Sequence, residues 1–382
     1  MRYPLFASAA VTLSLACALP AAAQTLPEWH AVADRIIPAD DTMRAHIGQL
    51  ILLPTGELAL VSDQDNIVHF LPLTPGMSGS TFGREGEATG EFRNTRWLGT
   101  QNGELWVEDV ELKRVTYVDS AHNMTHTLRE PTTVAMPGST PEPFVALFTQ
   151  GMTADNLFVV LALRGMGQQR PDWATPEEWR GTPLLKVTRS GQIVTVLAWI
   201  PPNPCEMRIA ARIGFTGFET PLCSGSLFRT ASDGSTIAVA TMDQAAHNYR
   251  ITSIRMNGDT AFSRVYSYTP IAIPDAAYDS AATVVRTRLA SISTPMPEAT
   301  RPDGYPPLDK LVIGRDGSVW LGEYLTGTTR TWQVLDADGH SIATVQLPGN
   351  VDVQVAERGQ VWGVARDKDG DRGVVHYTVT AN

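Results

Sequence analysis

The sequence predicts an all-β fold built from repeated four-stranded antiparallel sheets. Three observations predict it: a tight turn that recurs six times, β-patterned runs between successive turns, and a near absence of helical periodicity. The unit is plainest between Pro302 and Pro348. Leu308–Gly314 runs into a turn at Arg315-Asp316-Gly317 and returns as Ser318–Tyr324. Thr331–Asp336 then turns at Asp338-Gly339 and returns as Ser341–Pro348. Asp-Gly between alternating apolar runs is a hairpin signal.

The first turn of this unit recurs at Gly56, Gly103, Asn156, Gly234, Gly317 and Gly359. Gly56 and Gly103 are 47 residues apart, and Gly317 and Gly359 are 42 apart, the spacing of a four-stranded propeller blade. The wider intervals require insertions. A sheet of this kind cannot bury both faces alone, so the expected fold is a radial array, a six-bladed β-propeller. The last repeat stops one strand short, after the run Gly373–Val379. The segment Trp29–Ile37 is expected to pair beside residues 373–379 and close the ring, burying Val32, Ile36 and Ile37.

The beginning of the chain reads as an export signal. Arg2 precedes an apolar run from Leu5 to Leu19, and Ala21-Ala22-Ala23 forms a small-residue cleavage site before Gln24. Residues 1–23 are assigned to a signal peptide and 24–382 to the propeller, in the periplasm or secreted. A lipid anchor at Cys17 is disfavoured, because Ser14 and Leu15 mismatch the required box. Two cysteines remain beyond this signal, Cys205 and Cys223. A disulfide between them is expected in an oxidising compartment, with two free buried thiols as the alternative. The formal net charge of −10 argues against nucleic acid as a partner, and no later stretch suits membrane insertion.

The run Thr81-Phe-Gly-Arg-Glu-Gly-Glu-Ala-Thr-Gly90-Glu-Phe92-Arg-Asn94 resembles the blade junction of NHL-type propellers, with Thr95 where that pattern has proline. Leu105–Asp109 and Lys113–Asp119 are similar to the strands that follow it. Residues 302–348 resemble the fifth blade of the exported bacterial six-bladed propellers, the NHL-repeat-like and TolB-like class. The resemblance implies a fold; members of the class include scaffolds, ligand binders and unrelated enzymes.

Three long insertions, Gly165–Gly181, Pro201–Gly225 and Tyr268–Pro307, fall on one face by strand count. The third is expected to hold a helix, Asp275–Ile292, with Ala277, Ala281, Val284, Val285 and Leu289 as its apolar stripe. Trp173, Trp179, Arg212, Tyr278 and Arg286 are the candidate binding residues of this face. The strand-end residues Glu108, Asp109, Arg164 and Arg366 are expected to line the approach.

No catalytic residue or metal ligand is assigned. Gly76-Met-Ser78-Gly-Ser80 lacks the last glycine of a nucleophile elbow and reads as a turn. His122 and His126 are not placed as joint zinc ligands. Asp367–Gly373 alternates carboxylates like a calcium loop, but Thr378 stands where the twelfth-position glutamate belongs. The expected function is therefore an exported, non-catalytic module that binds a protein partner or small-molecule ligand on the insertion-bearing face. The alternative is a hydrolase or lactonase using a divalent cation such as calcium in the propeller funnel.

Overall fold

The computed structural model of the chain describes residues 26–38, 47–62, 65–74, 78–142, 144–165, 168–210, 215–290, 301–366, 368 and 370–381. The assigned signal peptide, Arg212, and Asp367 and Asp369 of the calcium-like turn lie outside them. Among the described residues no helix is long and apolar enough to cross a membrane.

Strand β1, Glu28–Pro38, comes first. The first four-stranded sheet holds β2 (Ile47–Leu52), β3 (Glu57–Ser62), β4 (Val68–Pro72) and β5 (Ser80–Phe82). The second holds β6 (Thr95–Gln101), β7 (Glu104–Asp109), β8 (Arg114–Val118) and β9 (Met124–Arg129). The third holds β10 (Phe144–Met152), β11 (Phe158–Arg164), β12 (Thr182–Val187) and β13 (Ile193–Ile200). A separate hairpin, β14 (Glu206–Ala210) and β15 (Phe215–Glu219), precedes the fourth sheet. That sheet holds β16 (Leu227–Thr230), β17 (Thr236–Asp243), β18 (Asn248–Arg255) and β19 (Thr260–Ser267). Helix α1, Asp275–Ala290, follows. Then come β20 (Leu308–Ile313), β21 (Val319–Glu323), β22 (Thr329–Leu335), β23 (Ser341–Pro348), β24 (Val351–Glu357), β25 (Gln360–Arg366) and β26 (Arg372–Thr380).

The sheets stand in a propeller arrangement, with β2, β6, β10, β16, β20 and β24 lining one central channel. Where six separate sheets were expected, there are four of four strands and one of eight, in the order β20-β21-β22-β23-β1-β26-β25-β24. Strand β1 joins the halves of that large sheet. It pairs antiparallel with β26, from His30 opposite Thr380 to Pro38 opposite Gly373, and parallel with β23 at Glu28 and Trp29.

The pairing of β1 is as expected, but its energetics differ. Val32 is 61 % exposed and Ile36 70 % exposed, so neither fills a core. Trp29 instead packs edge-on against the buried Trp320, with ring centroids 6.4 Å apart, and Ala31 and Ile37 fill between. The bulge between Ala33 and Arg35 frees Asp34, which accepts hydrogen bonds from the Thr378 hydroxyl and the His376 ring, both at 2.5 Å.

The cores lie between the faces of neighbouring sheets, and the junction residues show how. Phe82 meets Phe92 edge to face at 5.9 Å. Gly83 sits at φ +89°, and a Cβ there would lie 2.5 Å from the Phe92 ring, so only glycine lets that ring settle. Trp320, Trp332 and Trp362 are fully buried in the large sheet.

The three insertions fall between β11 and β12, β13 and β16, and β19 and β20. By strand direction they leave the same end of the channel, opposite the tight turns. Cys205 and Cys223 are disulfide-bonded and tie the base of the β14–β15 hairpin. Of the expected stripe of helix α1, Ala277, Ala281 and Val285 are half-buried, but Val284 is 68 % exposed, and the buried centre of the face is Ala282, with Tyr278 half-buried. Positions 278, 281, 282 and 285 form the i, i+3, i+4, i+7 face. An aromatic ring and two small alanines set that face, where aliphatic size alone had pointed to Val284.

Candidate functional site

The innermost strands carry the chemistry because most of them are bulged. The pairing slips at Gly48 and Gln49 in β2, Arg96 and Trp97 in β6, Gln150 in β10, Asp309 in β20 and Gln354 in β24. A bulge lets the strand present an extra polar side chain and frees backbone groups from the ladder. Glutamines at these bulges accept from the next strand around: Gln354 Oε1 takes the Leu50 N–H at 2.6 Å, and Gln49 Oε1 takes the Leu98 N–H at 2.5 Å. Gln354 also donates to the Gly48 carbonyl at 3.0 Å. These bonds lash neighbouring innermost strands together and satisfy amides that would otherwise face the channel unpaired.

The channel holds a cavity of about 390 Å³. Its tight-turn end is crossed twice. The Thr100 N–H donates to the Ser232 carbonyl at 2.7 Å, joining β6 to the end of β16 past the third sheet. Arg315 reaches the Leu52 and Leu53 carbonyls at 3.4 and 3.5 Å while its guanidinium holds Glu357 at 2.6 and 3.2 Å. Trp106 fills the wall beneath Gly99, where any Cβ would lie 2.3 Å from the indole. The strand-start end, from which the insertions leave, is the mouth.

Four charged or polar residues recur at one level of the wall. Gln49, Arg96, Lys310 and Asp352 each lie seven residues before their turn glycine. Lys310 Nζ pairs with Asp352 at 2.8 Å. Arg229 on β16 lies two residues nearer its own turn. It keeps accessible surface yet is ringed by protein atoms. That burial pulls its pKa below the ordinary arginine value, and the Asp352 charge pulls the other way. Sequence reading missed this wall. Counting back from each turn glycine would have found it, but the apolar-patterned strands gave no reason to count.

The expected binding residues are placed as follows. Trp173 stacks on Trp199 of β13 at 5.7 Å and donates its indole N–H to Glu142 at 2.8 Å. Trp179 lies edge-on to Trp199 at 6.3 Å, under the Arg164 guanidinium at 4.8 Å. Arg164 also donates to the Trp179 and Arg180 carbonyls. These residues form one cluster on the third sheet and are partly spent on packing. Tyr278 lies under Arg301 at 5.0 Å, and Arg286 is exposed on α1, as is Arg366 at the end of β25. Asp109 is fully buried and accepts from the backbone N–H groups of Arg93, Asn94, Glu111 and Leu112, so it holds the turns around β7.

Glu108 and Glu130 are 2 % and 8 % exposed and hydrogen-bonded to each other between the second and third sheets. Burial, then the Glu130 charge, pushes Glu108 up to about 9, and burial raises Glu130 as well. The pair therefore holds a proton between them well above the ordinary glutamate range. One oxygen of each carboxyl has no protein partner.

Two further clusters lie outside the channel. Asp336, Asp338 and His340 crowd a turn of the large sheet, where Asp336 accepts from the backbone of the other two. At the tight-turn side Ser80 Oγ lies 2.7 Å from His122 Nδ1, and His122 Nε2 lies 3.3 Å from Glu57. The His122 ring stacks on Phe70 at 3.7 Å. This is a serine–histidine–glutamate relay with the two nitrogens in the reverse of the protease order. Its serine ends the Gly76–Ser80 run, whose relation to His122 no local motif discloses.

No family model matches the chain, and no curated protein sequence matches it. Among solved structures, it is similar to a member of the DUF4221 family from Bacteroides vulgatus, at 11% identity and TM-score 0.49, covering 94% of this chain and 100% of that one. The PQQ-bound aldose sugar dehydrogenase of Streptomyces coelicolor aligns at 11% identity and TM-score 0.43, over 93% and 100% of the two chains. Virginiamycin B lyase from Staphylococcus aureus aligns at 9% identity and TM-score 0.41, over 90% and 98%.

Proposed function

We propose that the chain is an exported binding module: a six-bladed propeller, with the eight-stranded sheet counting as two blades and β1 as the closing strand, that seats a small polar ligand in its axial channel. The observation that carries this reading is the cavity itself, lined by six innermost strands, crossed at one end and edged with bulge-borne polar side chains. The mouth lies at the end where the insertions leave, so Arg286, Tyr278 and the Trp173–Trp179 cluster would stand around a ligand's approach and not at its seat. Export to the periplasm or beyond rests on the Leu5–Leu19 and Ala21–Ala23 pattern.

The cation-dependent hydrolase reading gains little support from the wall. Asp352 and Glu357, the carboxylates that line the channel, are each paired with a cation, whereas calcium wants several free oxygen ligands. The test is a thermal-shift screen of small polar metabolites on the wild type and on Gln150→Trp, which fills the channel. Ligands that stabilise the wild type are expected to lose their effect on Gln150→Trp and to keep it on Arg286→Glu. The opposite pattern would move the site to the insertion-bearing face.

A further inference from the structure

We infer that the ligand of the channel is an anion, a small molecule bearing a carboxylate or phosphate, held between Arg96 and Arg229. This rests on the channel being the ligand seat and adds what chemistry the seat accepts. The charges on the wall are Arg96, Arg229, Lys310, Arg315, Asp352 and Glu357, which leave a balance of +2. The whole chain carries −10. A cavity of opposite sign to its own protein focuses anions toward it.

The excess is located on two residues. Lys310 is matched by Asp352, and Arg315 by Glu357. Among the described residues no hydrogen bond or ion pair engages the Arg96 or Arg229 guanidinium; Arg96 overlies Trp97 at 5.6 Å and lies within the field of Glu108, whose charged form it favours. A guanidinium does not give up its proton at ordinary pH, and both of these are solvent-exposed in the channel, so an anion would take the place of water on them. The protein around Arg229 disfavours its charge, and the Asp352 carboxylate favours it. The two guanidinia carry ten N–H donors between them, five on each. Gln49 and Gln354 have their carbonyl oxygens committed to backbone amides. The forked donors suit planar carboxylate or tetrahedral phosphate oxygens. Trp97 and Phe228, also on the wall, give an apolar part of the ligand something to lie against.

The test uses full-length mature protein at fixed ionic strength. The probes are succinate, citrate, inorganic phosphate and glucose 6-phosphate, with succinamide and glucose as neutral counterparts. Calorimetry and melting temperature are the readouts. At least one anion is expected to bind and stabilise where its neutral counterpart does not, and the carboxylate and phosphate arms show which chemistry is preferred. Arg96→Gln and Arg229→Gln are each expected to weaken that binding about tenfold, the worth of one charge-assisted hydrogen-bond pair. Without ligand, both variants are expected to melt no lower than wild type, which separates lost binding from lost fold. Failure of every anion to bind, or binding indifferent to both arginines, overturns the inference. A neutral probe that binds, is blocked by Gln150→Trp and ignores the arginines overturns it while the channel reading stands. Binding by any probe that ignores Gln150→Trp as well overturns the channel reading itself.

Discussion

Glu108 and Glu130 show how one residue's burial becomes a property of the whole protein. In the folded state Glu108 holds its proton up to about 9, whereas in the unfolded chain it loses it near the ordinary glutamate value. A group raised in this way contributes stability that is complete below the unfolded pKa and lost as pH rises through the folded one. The melting temperature is therefore expected to fall between about pH 5 and pH 9 on account of this pair. Glu108→Gln keeps a permanent donor to Glu130 and should flatten that slope, gaining on the order of 1–3 kcal/mol at pH 8. Parallel pH profiles for the two proteins would refute the shared-proton assignment. Ser80 calls for a different experiment. It is exposed and pairs with Phe70 in the outermost strand of its sheet, so a developing oxyanion would meet water and not preorganised donors. Incubation with a fluorophosphonate is expected to leave Ser80 unlabelled, and a covalent adduct there would turn the reading toward a hydrolase. Neither the relay nor the carboxyl pair was legible in the sequence. Ser80 and His122 are 42 residues apart and meet where the first sheet lies against the second, and Glu108 and Glu130 are 22 apart and meet across the strands of the second sheet.

The elements themselves were far more legible than their contacts. Turns such as Asp316-Gly317 and Asn102-Gly103 punctuate the chain, and β2, β3, β6, β7, β20 and β21 start and stop beside them. Helix α1 starts at Asp275 as expected, its expected end at Ile292 lies outside the described residues, and of its expected face Val284 proved exposed while Ala282 was missed, because Ala282 looks no different from any other alanine until something packs on it. The bulges were invisible, since strands such as β2 and β6 are buried on both faces and carry no clean alternation whose phase could be seen to shift. The β14–β15 hairpin is paired with neither the third sheet nor the fourth, and the disulfide at its base is its evident constraint. Replacing both cysteines, Cys205→Ser with Cys223→Ser, removes a closure worth ~3 kcal/mol in the chain-entropy model. The loss is expected to be local. Limited proteolysis should cut within residues 206–219, while the melting temperature falls by less than about 5 °C. Cooperative unfolding of the whole chain at a much lower temperature would show instead that the hairpin is part of the main cooperative unit.

Closure is the property that belongs to the molecule as a whole, and β1 supplies it. Without β1 the large sheet would break into two pieces, and β23 and β26 would each present an unpaired edge. The apolar pattern of Trp29–Ile37 made this strand legible in the sequence. It did not disclose the means, which rests on backbone pairing, Trp29 against Trp320, and Asp34 bonded to His376 and Thr378. Deleting residues 24–38 should therefore lower the melting temperature by more than ~10 °C and favour association through the two freed edges. An unchanged melting temperature would make β1 a dispensable arm. A synthetic peptide spanning residues 26–38, added to the shortened protein, is expected to restore the melting temperature in proportion to the logarithm of its concentration, as a strand added to an open edge does. Trp29→Ala in that peptide should weaken the rescue about tenfold or more, because the indole is its largest buried anchor. Val32→Ser and Ile36→Ser together should not, because both side chains face water. That contrast separates closure by pairing and one aromatic anchor from closure by general apolar burial. Equal loss from both substitutions would restore the apolar explanation.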